Sequence, residues 1–92
     1  MRVLVSYDIS NDKNRRKVAT IMEGHGFRVQ YSVFECDISK AQLATLKRRL
    51  RPYVRRKDED SVRFYPLPAD ALDHVSVIGV DLSQTLGNVT IV

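Results

Sequence analysis

The N-terminal segment limits what this chain can fold into more than any other stretch. The run Val3-Leu4-Val5-Ser6-Tyr7 is rich in β-formers and stops abruptly at Asp8, after which polar residues lead into a basic, helix-like segment. Residues 2–8 therefore predict a strand that feeds a turn and a helix. Because both faces of this strand are largely apolar, we expect it to be central in a sheet. A charge at the end of such a strand can face a ligand, which makes Asp8 the leading functional candidate. The alternative is that Asp8 only opens the turn.

Length and composition narrow the class of protein. The 92 residues are enough for one domain with a limited core, which favours a dimer that hides more apolar surface. No apolar run approaches the roughly 18 residues of a membrane span, and no signal-peptide pattern is present, so we expect no membrane association and a cytoplasmic location. The one cysteine, Cys36, cannot form an internal disulfide and is expected to be a small buried residue.

Basic residues are concentrated in one part of the chain. The net charge is +4, and seven of the fifteen Lys and Arg residues lie between residues 47 and 57. So dense a patch attracts polyanions, because each neutralised phosphate releases counterions. The alternative is a solvated helix end and loop that Asp58, Glu59 and Asp60 partly balance.

The first half of the chain predicts one helix and further strands. A helix is expected from about Lys13 to Glu23, with Asn11 or Asp12 as its N-cap. Residues 27–38 contain no glycine or proline and are rich in β-formers. They predict either one long bent strand or, as we prefer, two short strands that reverse near Tyr31-Ser32.

A second helix is expected after a capping box. Ser39 and Gln42 stand three residues apart, as the box requires, and the helix should run to about Leu50. Pro52 should end it, because the residue before a proline avoids helical geometry. The basic-then-acidic residues 52–60 then predict a loop, which is the best candidate for a mobile segment.

The C-terminal part predicts more strands. Residues 62–67 predict a strand, and Pro66 limits it to a sheet edge or a strand end. Residues 75–80 predict the last clear strand. The tail over residues 81–92 has a turn-like Leu86-Gly87-Asn88 and an apolar end, so we expect it to add to a sheet edge of this chain or of a partner subunit.

The order of elements is β-α-β-β-α-β with an extra strand or two. It predicts an α+β, ferredoxin-like sandwich with two helices on one face of an antiparallel sheet. Residues 1–80 would form this domain, and residues 81–92 would be a C-terminal strand that completes a sheet across a homodimer. A second copy of the chain would also cover the open face of the sheet.

The sequence lacks the motifs of several common catalytic classes but permits a shared metal site. There is no Gly-rich phosphate loop and no zinc-ligand spacing. One carboxylate cannot hold Mg²⁺, but two copies of Asp8 near a twofold axis could share one ion that polarises a phosphodiester and activates a water. Arg15 and Lys17, just after Asp8, could hold the scissile phosphate. Arg16 lies in the same turn and is either a phosphate ligand or part of a solvated face.

Several segments carry a family resemblance. They are residues 5–9, 14–18, 26–35 and 60–67, with the late Gly79. In this combination the chain resembles the CRISPR-associated protein 2 family over nearly its whole length. The resemblance implies a ferredoxin-like homodimer with magnesium-dependent nuclease activity, on single-stranded RNA in some members and duplex DNA in others. It also implies a complex with the larger CRISPR integrase, which captures spacer DNA.

The resemblance also assigns roles to residues. It places the family's metal residue at Asp8, where one Mg²⁺ would be shared by the two subunits. Supporting residues of the catalytic site fall on Tyr7, Arg15, Arg28, Ser32 and Phe34. Lys17 stands where some members have arginine, and this keeps the charge but loses the two-pronged fork of a guanidinium.

Three functions compete at this point. The first is the metal-dependent endonuclease. The second is a non-catalytic DNA-binding scaffold for the integrase, and the third is a toxin-like ribonuclease, for which toxicity on expression should depend on Asp8. The residues expected to bind nucleic acid are Arg15, Arg16, Lys47, Arg48, Arg49, Arg51, Arg55, Arg56 and Arg63.

Overall fold

Four antiparallel strands and two α-helices form the body of the described part of the chain. The computed structural model describes residues 1–81 and 90–92. The elements of this body are β1 (Arg2–Asp8), α1 (Asp12–Glu23), β2 (Phe27–Gln30), β3 (Val33–Asp37), α2 (Lys40–Leu50) and β4 (Ser61–Leu67). The strand order is β2-β3-β1-β4, so β1 is central and β4 is an edge strand, as Pro66 predicts. The ferredoxin-like prediction is therefore confirmed.

The core lies between the sheet and the two helices. Along β1, Val3, Val5 and Tyr7 are buried and the intervening side chains are half-buried or exposed, so the predicted alternation holds. The other buried apolar side chains are Ile9, Val18, Met22, Phe34, Cys36, Ile38, Leu46 and Leu50. Within the described residues, no helix is both long and apolar enough to cross a bilayer.

Both helices begin at side-chain caps. The Asn11 side chain accepts a hydrogen bond from the Asn14 N–H at 2.9 Å, and α1 begins one residue earlier than expected. At α2, the Gln42 N–H donates to Ser39 Oγ at 3.1 Å and the Ser39 N–H donates to Gln42 Oε1 at 2.8 Å. The predicted capping box is therefore confirmed, and such a cap stabilises a helix by about 1 kcal/mol.

The end of α2 is where we expected it, but the reason we gave is wrong. The helix ends at Leu50, yet Arg51 keeps helical dihedrals (φ −50°, ψ −43°) directly before Pro52. A 3₁₀ turn, Arg51–Tyr53, follows. Pro52 is tolerated because the first N–H groups of a helical turn have no partner within the turn, so the missing N–H costs little.

Residues 27–38 form two strands, as we preferred. The chain reverses at Tyr31-Ser32, and Ser32 adopts a left-handed conformation with φ 65°. Its carbonyl accepts a hydrogen bond from the Tyr7 N–H at 3.0 Å, which fixes the hairpin beside the end of β1. A bulge between Arg28 and Gln30 shifts the register of β2.

The C-terminal region departs from expectation. A 3₁₀ helix, Ala69–His74, leads to β5 (Ser76–Val77), so the predicted strand over residues 75–80 is wrong in length. The backbone turns away at Gly79, whose φ of +105° is incompatible with an extended strand. A further strand, β6 (Thr90–Ile91), pairs in parallel with β5 of the same chain. The expected turn at Leu86-Gly87-Asn88 lies outside the described residues, and completion of a sheet across a dimer stays a prediction.

Candidate active site and basic groove

Asp8 is the exposed end of a buried strand. It pairs with Ser61 of β4 and is exposed, whereas Tyr7 and Ile9 on either side retain only 6% and 3% of their accessible surface. Among the residues that the structure describes, none forms a hydrogen bond or an ion pair with the Asp8 carboxylate. A turn-opening aspartate would bond the backbone of its own turn. In this turn that role belongs to Asn11, so Asp8 is free to bind a ligand.

A single chain offers an incomplete metal site. In residues 1–81 and 90–92, no three His, Cys, Asp or Glu side chains come close enough together to hold an ion. The donor set at this strand end is one exposed carboxylate, while Mg²⁺ takes one or two carboxylates together with waters and phosphate oxygens. The residues present would therefore suit Mg²⁺ if a second chain contributed its own Asp8 as the second carboxylate.

Arg63 lies on the same face of the sheet as Asp8. It pairs with Ser6, two residues before Asp8 on β1, and alternation directs Ser6, Asp8 and Arg63 to one face. Diagonal neighbours of this kind have Cα atoms about 7–8 Å apart. The Arg63 Nη1 donates to the Tyr65 hydroxyl at 3.2 Å, and this bond raises the pKa of the guanidinium. Arg63, which we expected only to bind nucleic acid, places a fixed positive charge near the candidate site.

Four of the resemblance residues form an aromatic and cationic cluster on the helix side of the sheet. The rings of Tyr7 and Phe34 stack with centroids 6.3 Å apart and an interplanar angle of 23°. The Arg28 guanidinium lies 5.1 Å from the centroid of Phe34 and forms a 3.8 Å ion pair with Glu23. Ser32 completes the cluster, because its carbonyl accepts the Tyr7 N–H at 3.0 Å. Alternation puts this cluster on the opposite face of β1 from Asp8.

Tyr7 keeps its proton at neutral pH. Burial raises the pKa of its phenol, and the positive charge of Arg28 and the hydrogen bond from Ser32 only partly oppose this. A phenol with a raised pKa does not act as a base near pH 7. Tyr7 therefore supports the site by packing and hydrogen bonding.

Arg15 braces the turn that follows Asp8. Its Nη1 donates to the Ile9 carbonyl at 3.0 Å, and its Nη2 donates to the Asp12 carboxylate. The hydrogen bond to Asp12 is the main reason why the pKa of Arg15 is raised. The two neighbouring cations of the predicted phosphate site, Arg16 and Lys17, are exposed and free to meet solvent or a phosphate.

Asp60 connects the turn after Asp8 to the loop over residues 52–60 through two hydrogen bonds, a role that the sequence did not suggest. Its Oδ1 accepts from the Ser10 N–H at 2.9 Å and its Oδ2 accepts from the Arg55 N–H at 3.0 Å. Only 8% of its surface is accessible. These two bonds hold the pKa of the Asp60 carboxyl below its usual range. From the sequence, Asp60 counted only as a balancing charge, since its partner Ser10 is 50 positions away.

We expect the contribution of Asp60 to stability to depend on pH in one direction. Because the pKa is lowered by folding, the stabilisation is complete above the unfolded pKa of about 4 and is lost as the pH falls below it. Asp60→Asn should therefore unfold at lower urea than wild type at pH 7, and this difference should shrink towards pH 3. Urea midpoints of both proteins across this range give the answer. A difference that stays constant with pH would contradict the assignment.

The dense basic stretch forms one side of a groove. The groove has a volume of about 520 Å³ and lies between the end of α2 and the edge strand β4. Three cations line it, Lys47, Arg51 and Arg56, and its apolar lining is Leu50, Val54, Val62 and Phe64. The Lys47 Nζ lies 5.3 Å from the centroid of the Phe64 ring. The sequence indicated the cations, but only the fold shows that β4 supplies the opposite wall.

The remaining predicted nucleic-acid residues do not all belong to this groove. Arg48 and Arg49 are exposed on α2 beside it. Arg55 is paired with Asp58, with its Nε 2.9 Å from the carboxylate, so part of its charge is already balanced. Arg15 and Arg63 lie with the Asp8 site, as described above. The structure thus divides the predicted nucleic-acid-binding residues between the end of α2 with its groove and the surroundings of the Asp8 strand end.

Comparison with known proteins assigns the chain to a family. The sequence model described as CRISPR associated protein Cas2 matches residues 1–75. The CRISPR-associated endoribonuclease Cas2 3 of Synechocystis sp. is 47% identical over 76 residues, which are 83% of this chain and 82% of that protein. The crystal structure of Streptococcus pyogenes Cas2 at pH 6.5 is similar with a TM-score of 0.75 and 38% identity, covering 86% of this chain and 100% of that one.

A third similarity is to a chain in a larger assembly. A structure described as a partial Cas6-RT-Cas1–Cas2 complex contains a chain with a TM-score of 0.74 and 27% identity, covering 92% of this chain and 98% of that one. The family match over residues 1–75 includes β1 with Asp8, the aromatic and cationic cluster, and the basic groove. From these matches and the shared fold, the chain belongs to the CRISPR-associated Cas2 family.

Proposed function

We propose that this protein is a magnesium-dependent endonuclease of CRISPR spacer acquisition that works as a homodimer, with Asp8 of both chains at one metal site. The CRISPR role and the nuclease class follow from membership of the Cas2 family, because curated relatives bear the name endoribonuclease. The observation that carries the residue assignment is the exposed carboxylate of Asp8, which has no partner among the described residues, at the end of a buried central strand.

The chain's own residues suit the handling of a phosphodiester. Two Asp8 carboxylates would hold one Mg²⁺, which when bound supplies polarisation of the phosphate and a more acidic water. Arg63 on the same face would attract the phosphate oxygens, and Lys17 and Arg16 would do so from the first turns of α1. Arg15 would keep the turn in place through the Ile9 carbonyl.

The test is a cleavage assay with a substrate and metal panel. Purified protein is incubated with single-stranded RNA and with duplex DNA, each with Mg²⁺ and with chelator. Cleavage of one substrate that requires Mg²⁺ supports the proposal and names the substrate, and the names of the relatives favour RNA. An Asp8→Ala preparation controls for contaminating nuclease. Cleavage that persists in chelator, or in Asp8→Ala, would contradict the proposal.

A second function, a DNA-binding scaffold for the integrase, is favoured by the basic groove. Arg51 and Arg56 in this groove have no ion-pair partner among the described residues, so their charges are available to phosphates. The similar chain in the partial Cas6-RT-Cas1–Cas2 complex supports assembly with the larger integrase. The two functions are compatible, because the groove and Asp8 lie on different parts of the fold.

Charge reversal beside the groove should weaken DNA binding. We expect Arg48→Glu with Arg49→Glu to lower the affinity for duplex DNA uniformly across sequences, and to reduce the salt slope by about one unit for each lost phosphate contact. Salt-dependent binding curves measure both quantities. Lys40→Glu, at the other end of α2, reverses one charge away from the groove and should have a smaller effect for each charge reversed. Unchanged affinity in the double variant would contradict the assignment of Arg48 and Arg49 to the DNA-binding surface.

A further inference from the structure

Tyr31 is an exposed aromatic side chain with no role in the site described so far. It retains 74% of its accessible surface at the tip of the hairpin between β2 and β3. An aromatic ring in this position makes little contribution to the core. Its ring is therefore available to a ligand with a flat, apolar face.

The hairpin holds Tyr31 in a fixed place next to the candidate site. The next residue, Ser32, has the left-handed φ of 65°, which reverses the chain within two residues. The Ser32 carbonyl accepts the Tyr7 N–H at 3.0 Å, one residue from Asp8. The tip is thus attached to the strand end that bears the carboxylate.

One cation lies against the ring, and a second lies near its hydroxyl. The Arg28 guanidinium lies 6.0 Å from the centroid of Tyr31. Arg15 also lies near it, since the Tyr31 hydroxyl is among the groups that raise the pKa of the Arg15 guanidinium. An exposed aromatic ring beside positive charge is the arrangement by which proteins hold single-stranded nucleic acids, with a base on the ring and the backbone along the cations.

We propose that Tyr31 stacks on an unpaired base of a single-stranded nucleic acid whose backbone passes the end of β1, where Asp8 meets a nearby phosphate from the other face. A base inside a duplex has both faces covered by its neighbours, so this contact selects single-stranded or locally unpaired substrate. The proposal deepens the nuclease function and rests on it only for the identity of the nearby phosphate. Binding by Tyr31 can be measured without cleavage.

The experiment measures binding in chelator. A labelled RNA strand of about eight nucleotides, and the same sequence annealed as a duplex, are titrated with wild type, Tyr31→Leu and Tyr31→Phe. Tyr31→Leu should lose about tenfold in affinity for the single strand, while duplex affinity and the salt slope stay within error. Tyr31→Phe keeps the ring and should bind like wild type. A strand with abasic positions should remove the difference between wild type and Tyr31→Leu.

Several outcomes would overturn the proposal. These are single-strand affinity that is unchanged in Tyr31→Leu, an equal loss on duplex, and a Tyr31→Phe variant that behaves like Tyr31→Leu. The last would assign the effect to the hydroxyl near Arg15 rather than to the ring. Because all measurements are made in chelator, absence of nuclease activity leaves the test intact, and failure of stacking leaves the Asp8 assignment intact.

Discussion

Asp8→Asn should reduce metal-dependent cleavage by about a thousandfold or more, because removal of a metal carboxylate forfeits several kcal/mol of transition-state stabilisation. Asparagine has the same shape as aspartate, and Asp8 is exposed, so the free energy of unfolding should change by less than about 0.5 kcal/mol. Single-turnover rates on the substrate that wild type cleaves, together with urea unfolding, measure the two effects.

The end of a neighbouring strand offers a matched control. Asp37 is the last residue of β3 and is exposed, and it forms a 3.6 Å ion pair with the N-terminal amine. Asp37→Asn makes the same chemical change at another strand end and should cleave at the wild-type rate. If both variants lose activity to the same degree, the loss comes from the change in net charge, and the assignment of Asp8 as the metal ligand is contradicted.

Gly26→Ala should destabilise the protein by about 3 kcal/mol, which in a domain of this size corresponds to a fall in Tm of more than about 10 °C. A Cβ atom at residue 26 would lie 2.7 Å from Cys36 Sγ and 2.9 Å from the carbonyl carbon of Glu35, and closer still to the Glu35 carbonyl oxygen. The Glu35 carbonyl belongs to β3, so relief of the clash requires the sheet to shift. Calorimetry measures the change directly.

Gly24→Ala is the control for this prediction. A Cβ atom at residue 24 would come no closer than 3.4 Å to the Ile21 carbonyl oxygen, and φ is −78°, which alanine adopts freely. The free energy of unfolding should therefore change by less than about 1 kcal/mol. The change can be a gain, because alanine lowers the conformational entropy of the unfolded chain. Equal losses of stability in both variants would mean that the close approach of Gly26 to β3 is not what destabilises Gly26→Ala.

Local patterns predicted most of the fold. The alternation in β1, the N-cap of α1 and the capping box of α2 all depend on residues within a few positions of each other, and all are found. The predicted length of the strand over residues 75–80 was wrong, because apolar composition alone extended it beyond Val77. What limits it is the backbone conformation of Gly79.

The site was only partly predictable for a related reason. Asp8 stood out because a charge follows a buried run, which is a local signal. The bond between Asp60 and Ser10, and the wall of the groove formed by Phe64, join residues far apart in sequence and appear only when the sheet is assembled. The position of Arg63 beside Asp8 likewise depends on the register between β1 and β4.

Metal stoichiometry tests the shared site most directly. Mn²⁺ takes the same oxygen ligands as Mg²⁺ and can be counted by electron paramagnetic resonance as it is titrated into the protein. If the two Asp8 carboxylates of a dimer hold one ion, wild type will bind one Mn²⁺ per two chains and Asp8→Asn will bind none at this site. One ion per chain, or the same stoichiometry in both proteins, would contradict a site shared by two copies of Asp8.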